Sequence, residues 1–262
     1  MKTLKEKIAE GKMVNGTMLR FVRNPAVAYL AQQAGLDFLM LDCEHASYSL
    51  ETIHDIAATA KALGIICMAR VQYLREEYIG LLLENGMEGI QCPMVETVEQ
   101  ARELVRCVKY PPEGERGFSA NTLNTGYAAV KHVEMMRENN ARNMTIAQIE
   151  TKLGVEHARE IAGVEGIDCL LIGPNDLSIS LGAPGDTTNP IVLDAIAAVA
   201  DACEAQGKLF ALHADAKLCD RFKDRLSLNV QKFDVNFLVD GFKSVVKYGE
   251  TIAEARKQTE VK

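Results

Sequence analysis

Short apolar runs rich in β-branched residues recur eight times along this chain, each followed by a longer segment of helical spacing. The runs fall at residues 14–19, 38–44, 66–71, 89–95, 144–150, 169–173, 208–213 and 235–240. The helical segments fall at 25–34, 50–63, 76–85, 98–109, 153–162, 191–206, 216–226 and 242–258. Near-continuous apolar strands suit a parallel sheet buried on both faces, because helices cover it on one side and its own interior on the other. The pattern predicts an α/β fold, a single (β/α)8 TIM barrel forming one domain over residues 1–262. A doubly wound open sheet is the alternative, since periodicity alone does not close a sheet. Local punctuation agrees with the helix assignments. Asn24-Pro25 and Ser49 start helices, and Gly35, Gly64, Gly86, Gly163 and Gly207 fall where helices stop.

Composition narrows the function classes. With 29 Lys and Arg against 36 Asp and Glu, the net charge is −7, and no long basic run occurs, so neither nucleic acid nor an anionic membrane is an expected partner. No stretch of about 20 apolar residues is present to span a bilayer. Residues 1–12 alternate Lys and Glu around Leu4 and Ile8, which reads as a short amphipathic helix without the apolar centre of a secretory signal. Seven cysteines without any C-x-x-C favour free thiols in a reducing cytoplasm. The dinucleotide and P-loop glycine signatures are missing. Residues 131–142 read as a solvated helix face or subunit contact, and the irregular stretch 110–127 is long enough to suggest a functional loop.

The chemistry is carried by the polar residues at the end of each apolar run. In a barrel, reactive groups gather at the C-terminal strand ends. Strand two ends Asp42-Cys43-Glu44-His45, strand three ends at Arg70, strand five ends Gln148-Ile149-Glu150, and strand six runs through Gly173-Pro174-Asn175 to Asp176. Period-two alternation puts Asp42 with Glu44, and Gln148 with Glu150, on common faces. Each residue alone has a plainer reading: Asn175 and Asp176 as helix caps, Glu150 as a solvated carboxylate, Arg70 as a structural ion pair, His45 as a structural histidine. Their joint occurrence after strongly apolar strands is what points to a site, because inward charge at a rim is costly unless paired or metal-bound. Glu150 and Asp176 supply hard oxygen ligands suited to Mg²⁺ or Mn²⁺, with Co²⁺ also compatible. A 2-oxo acid would chelate such an ion, backbone N–H groups of Asn175 and Asp176 would hold its carboxylate, Arg70 would stabilise an enolate oxygen and His45 would move a proton. A Schiff-base route is disfavoured, since Lys208 begins its strand and no Lys ends one.

At these residues the chain resembles the HpcH/HpaI aldolase family, the metal-dependent class II pyruvate aldolases. The resemblance is carried in order by Gly35-Leu36-Asp37 through His45, Ala69-Arg70-Val71, Gly89 to Val95, Tyr110-Pro111-Pro112-Glu113-Gly114-Glu115-Arg116-Gly117, Gln148 to Thr151, and Ile172 to Ser178. It implies a phosphoenolpyruvate/pyruvate-type barrel that assembles as a hexamer with an exchanged C-terminal helix. It also implies reversible cleavage of 4-hydroxy-2-oxo acids to pyruvate and an aldehyde. By the same resemblance Glu150 and Asp176 bind the metal and Arg70 stabilises the enolate. His45 is the acid/base on the 4-hydroxyl, through water. Gln148, Gly173, Asn175 and Asp176 contact the oxo acid, and Asp42 helps to orient His45. The family's acidic partner for that histidine is an Asp in a Leu-Asp-x-Gly stretch; here Leu83-Glu84-Asn85-Gly86 places Glu84 there. Other departures are Gln72 where the family has Pro, the absence of any Trp, and the run Phe118 to Thr122. Three other readings use the same residues: a CoA-thioester lyase, an oxaloacetate decarboxylase, or a non-catalytic oxo-acid-binding protein. His213, at the end of the seventh run, has no spacing logic of its own.

Overall fold

In the computed structural model, which describes residues 2–260, eight parallel strands close into a barrel in chain order. They are β1 (Val14–Leu19), β2 (Phe38–Asp42), β3 (Ile66–Arg70), β4 (Gly89–Cys92), β5 (Met144–Ile149), β6 (Cys169–Ile172), β7 (Leu209–His213) and β8 (Leu228–Phe233). β8 pairs with β1 to complete the ring. Met1 and the last two residues, which the sequence reading counts into the same domain, lie outside the described residues.

Two apolar layers hold the cylinder. The interior is filled by Met18, Phe38, Met40, Ile66, Met68, Met144, Ile146, Leu171, Leu228 and Val230, all essentially buried. The unbranched methionines fit the irregular space around one large ring, that of Phe38. Gly16 is required beside it, because a Cβ there would collide with the Phe38 ring. The second layer joins the outer strand faces to the surrounding helices, with Leu39, Leu41, Ile53, Ile56, Leu82 and Leu104 among its members. The helix Leu4–Ala9 closes the N-terminal end of the barrel: Leu4 packs into the interior cluster, and a capping box between Thr3 and Glu6 starts the helix. Lys5 and Lys7 tie it to Asp168 at 2.8 Å and Asp37 at 2.7 Å.

The eighth strand corrects the sequence reading. Residues 235–240 belong to the helix Asp234–Glu260, and the strand lies earlier, at Leu228–Phe233. The strand was obscured because Leu228 and Val230 alternate with Asn229, Gln231 and Lys232, whereas β2, β3 and β6 are near-continuously apolar up to their ends. Those polar residues serve the seam with β1, where Asn229 Nδ2 donates to Asn15 Oδ1 at 2.9 Å. The Asp234 carboxylate then accepts the backbone N–H groups of Arg20 (3.0 Å), Phe21 (3.0 Å) and Val22 (2.6 Å), fixing the strand-to-helix turn. The apolar run that resembled a strand is a helix face, with Phe237, Val239, Phe242, Val245 and Val246 exposed on the single chain. The helical segment at 153–162 is likewise two short helices, Lys152–Glu156 and Ala158–Ala162, meeting at His157. Among the described residues, no helix is long and apolar enough to cross a membrane.

Candidate active site

The strand ends converge on one cavity of about 390 Å³ at the C-terminal mouth of the barrel, lined by Arg20, His45, Arg70, Gln148, Gly173, Pro174, Asn175, Asp176, His213 and Phe233. A larger groove of about 620 Å³ lies among Val98, Arg102, Arg159 and Gln206 on the outer helices and receives no strand end. The mouth is therefore where the barrel concentrates its chemistry.

Register builds the cationic half. β2 and β3 pair so that Asp42 lies beside Arg70. Arg70 is 5% exposed and grips Asp42 with two bonds, Nε to Oδ1 at 3.0 Å and a terminal nitrogen to Oδ2 at 2.7 Å. Arg20 reaches the same carboxylate from the end of β1, with Nε to Oδ2 at 2.8 Å. Burial alone would push the Asp42 carboxyl up, but the Arg70 hydrogen bonds and charge, with His45 N–H and Arg20, hold it below the usual range. Asp42 also accepts the main-chain N–H groups of Glu44 and His45, both at 3.2 Å. It thus shapes the turn that carries His45 and leaves the imidazole alone. That imidazole is 53% exposed, with Nε2 lying 3.6 Å from Glu44 Oε2.

The acidic half is organised around Glu150, just beyond β5 and 3% exposed. Its Oε1 accepts Met94 N–H at 2.8 Å, and Gln148 Nε2 donates to its other oxygen. Gln148 is held in turn by Gln91, so three side chains form a buried relay. Met94 adopts φ 53°, a left-handed conformation costing a non-glycine residue about 1–2 kcal/mol, and thereby aims its N–H at the carboxylate. Burial pushes the Glu150 carboxyl up to about 7, with the charges of Asp176 and Glu44 adding to the rise. Glu44 is also raised, first by burial; its Oε2 lies 3.1 Å from Arg70 Nε yet takes no hydrogen bond. Asp176 sits in the first turn of the helix Pro174–Ser180, where the first intrahelical bond runs from Leu177 N to Gly173 O at 3.0 Å. The N–H groups of Asn175 and Asp176 precede that bond at the cavity wall.

This donor set fits a divalent cation. Among the described residues no group of three or more His, Cys, Asp or Glu side chains forms a ready-made metal cage. What is present is a buried carboxylate without a cationic side-chain partner and a second carboxylate whose charge it feels. An oxygen-only, incomplete set of this kind suits Mg²⁺ or Mn²⁺, which retain positions for water and substrate. Gly173 protects the geometry: a Cβ there would collide with Glu150 Oε2 and Gln148 Nε2. Gly173→Ala is expected to weaken Mn²⁺ binding roughly 10–100-fold, the size of losing a group that orients a ligand, as read by calorimetric titration.

The raised Glu150 carboxyl also sets a pH dependence. Its folded value lies above the ordinary 4.5, so in metal-free protein the protonated form contributes stability that is full below about 4.5 and lost as pH rises through about 7. A metal ion held by Glu150 would displace that proton. Mn²⁺ affinity is therefore expected to rise steeply from pH 5.5 to 7.5, with proton release that calorimetry in two buffers detects.

Of the residues expected from sequence, Asp42, His45, Arg70, Gln148, Glu150, Gly173, Asn175 and Asp176 meet at this mouth. Glu84 does not. It ends the helix Glu76–Glu84, and the chain then enters the start of β4, where Glu88 N donates to Cys67 O at 2.7 Å. A barrel helix runs antiparallel to its strands, so its last turn lies at the end of the cylinder opposite His45. Glu84 instead lends its charge to Arg116 and Tyr110, and within one chain the Glu84–His45 dyad does not form. Four groups were not assigned from sequence. Arg20 directly follows its strand, Glu44 shares the Asp-x-Glu face, and Gln91 is paired in register with Arg70. Phe233 was hidden by the misplaced eighth strand. His213, left without a role, lines the cavity; its Nε2 lies 3.1 Å from Lys232 O, and burial pushes its pKa down.

The chain is similar to known proteins over most of its length. The family model described as HpcH/HpaI aldolase/citrate lyase matches residues 19–232. The hydroxypyruvate/pyruvate aldolase of Delftia acidovorans is 37% identical over 185 residues, 70% of this chain and 68% of that protein. The 5-keto-4-deoxy-D-glucarate aldolase of Shigella boydii is 33% identical over 198 residues, covering 74% and 76%. The crystal structure of an HpcH/HpaI aldolase from Desulfitobacterium hafniense superposes with a TM-score of 0.90 at 35% identity, covering 95% of this chain and 96% of that one. On these matches and this fold, the chain belongs to the HpcH/HpaI aldolase/citrate lyase family.

Proposed function

We propose that this enzyme reversibly cleaves a 4-hydroxy-2-oxo acid to pyruvate and an aldehyde, using enolate chemistry at the barrel mouth. The chain is a carbon–carbon lyase of the class II pyruvate aldolase type. One observation carries the detailed reading: Arg70 and Asp176 line a single cavity, and the buried Glu150 lies directly behind its Gln148 wall. Relatives named as aldolases favour this reaction over a CoA-thioester lyase, an oxaloacetate decarboxylase or a non-catalytic binding protein.

Glu150 and Asp176 would hold the dication, with Mg²⁺ or Mn²⁺ the best match and Co²⁺ compatible. When bound, it supplies Lewis-acid polarisation of the 2-oxo group. The chain does the rest. Gln148, Gly173 and the N–H groups of Asn175 and Asp176 orient the oxo acid against the β5–β6 wall. Arg70, fixed by Asp42, presents a preorganised charge to the developing enolate oxygen. His45, half-exposed beside Glu44, exchanges the proton of the 4-hydroxyl through a water. The test is exchange of pyruvate methyl protons in D₂O, which needs no aldehyde. Exchange that requires Mg²⁺ or Mn²⁺ and stops with chelator is the expected result; no exchange in metal-loaded protein contradicts the reading.

We also place the enzyme in a homo-oligomer with its C-terminal helix exchanged, hexameric as in the family. In support, Phe242, Val245, Val246 and Tyr248 are 62–71% exposed on the single chain. An apolar groove of about 420 Å³ opens beside the helix start, lined by Leu19, Val27, Leu30, Ala31, Phe237 and Leu238. Burying each such side chain contributes about 1.5–3 kcal/mol. Sedimentation is expected to give six times the chain mass, and the double substitution Phe242→Asp with Val246→Asp a smaller species; a monomeric natural chain contradicts this. Seven buried free thiols fit a reducing cytoplasm.

A further inference from the structure

We propose that Arg20 is a specificity-determining residue that selects an acceptor aldehyde carrying a carboxylate next to its carbonyl. The inference rests on the aldolase reading and extends it to the half of the substrate which that reading leaves open.

The ring order of the strands divides the mouth into two walls. Gln148, Gly173, Asn175 and Asp176 come from the ends of β5 and β6, and this wall, with Arg70, takes the pyruvate half. Across the ring, β1 stands between β8 and β2, and the contiguous ends of β7, β8 and β1 contribute His213, Phe233 and Arg20. The cavity of about 390 Å³ has room for both halves of a small cleaved acid, since a water occupies only about 30 Å³ of liquid. The acceptor half therefore faces the wall that bears Arg20.

Arg20 is built to receive an anion there. Its Nε and one terminal nitrogen each lie 2.8 Å from Asp42 Oδ2, and its guanidinium sits 3.9 Å from the centroid of the Phe233 ring. These contacts fix the guanidinium plane before substrate arrives, so little side-chain freedom remains to be lost on binding. The other terminal nitrogen makes no hydrogen bond among the described residues, and the side chain is 34% exposed at the cavity. Charge points the same way. Asp42 is shared between two guanidinium groups, Glu44 contacts Arg70, and the Asp234 carboxylate is taken up by the main-chain N–H groups of Arg20, Phe21 and Val22. Arg20 is thus only partly neutralised. Its neighbours on the cavity wall are not anionic: His213 is engaged with Lys232 O, and Phe233 is apolar.

Two two-carbon acceptors test the proposal: glyoxylate, with a carboxylate beside the aldehyde, and glycolaldehyde, with a neutral CH₂OH in its place. In the metal-loaded full-length enzyme with pyruvate as donor, kcat/KM is expected to favour glyoxylate. In Arg20→Ala the glyoxylate-to-glycolaldehyde ratio is expected to fall roughly 10- to 100-fold, the size of one charge-assisted hydrogen bond. Arg20→Lys is expected to restore part of that ratio. If Arg20 acts only by steadying Asp42 and Arg70, both acceptors suffer equally; an unchanged ratio overturns the proposal. Pyruvate deuterium exchange in the natural enzyme separates the two levels. Exchange with an unchanged ratio rejects the role of Arg20 and leaves the aldolase reading standing, whereas loss of exchange itself rejects both.

Discussion

Glu150→Gln is expected to abolish metal-dependent deuterium exchange into pyruvate, a fall of at least about 10³-fold, while leaving the fold intact. The substitution keeps the shape of the side chain and an oxygen to accept Met94 N–H, but removes the charge that would neutralise a dication. Several kcal/mol of Lewis-acid stabilisation depend on that charge, and each 1.36 kcal/mol is about tenfold in rate. A second signature separates this from general damage. Because burial pushes the Glu150 carboxyl up to about 7, ionising it above that pH costs the metal-free protein stability. The uncharged glutamine avoids that cost, so the variant is expected to melt at or above the natural metal-free protein at pH 8. Its melting temperature should also no longer respond to Mn²⁺. Normal exchange in Glu150→Gln would remove this residue from the metal site.

Arg70→Ala is expected to lower kcat/KM for retro-aldol cleavage by about 10²–10³-fold, or roughly 2.7–4 kcal/mol, by analogy with loss of an oxyanion donor. It is also expected to destabilise the protein, since Asp42 is fully buried and would keep only Arg20 as a charged partner. Breaking a buried pair by removing one member costs about 3–5 kcal/mol, and the remaining Arg20 contacts place this case toward the lower end. Arg70→Lys distinguishes the two effects. Lysine keeps a charge against Asp42 but loses the planar two-pronged grip, so thermal stability should largely recover while activity stays low. Recovery of activity together with stability would make Arg70 a structural ion pair. The ion pair has its own pH signature: the depressed Asp42 carboxyl contributes stability present above about 3.8 and lost as pH falls through its lower folded value.

Most of the barrel was legible because each strand buried on both faces leaves an apolar run, and each helix leaves periodic spacing and a cap. The eighth strand departs from that physics. β8 carries Asn229, Gln231 and Lys232 at a seam, while the helix after it carries apolar residues that nothing in the single chain covers, so the two exchanged appearance. The site was legible for the same positional reason: Asp42, Arg70, Gln148, Glu150 and Asp176 are charged or polar residues where an apolar strand stops. Arg20 obeyed the rule too, but its meaning lies in a shared carboxylate and the Phe233 face, both of which come from distant sequence. Glu84 shows the converse. A motif fixes where a residue lies along the chain, but the direction of its helix decides which end of the barrel it reaches.

The central claim is that Glu150 and Asp176 jointly hold one divalent cation at the mouth of the barrel. A crystal of the enzyme grown with Mn²⁺ and pyruvate, with data collected near the manganese edge, tests it directly. A single strong anomalous peak bonded at about 2.1 Å to one oxygen from each carboxylate is the expected result. A manganese peak elsewhere, or two carboxylates left unbridged beside bound pyruvate, would contradict it.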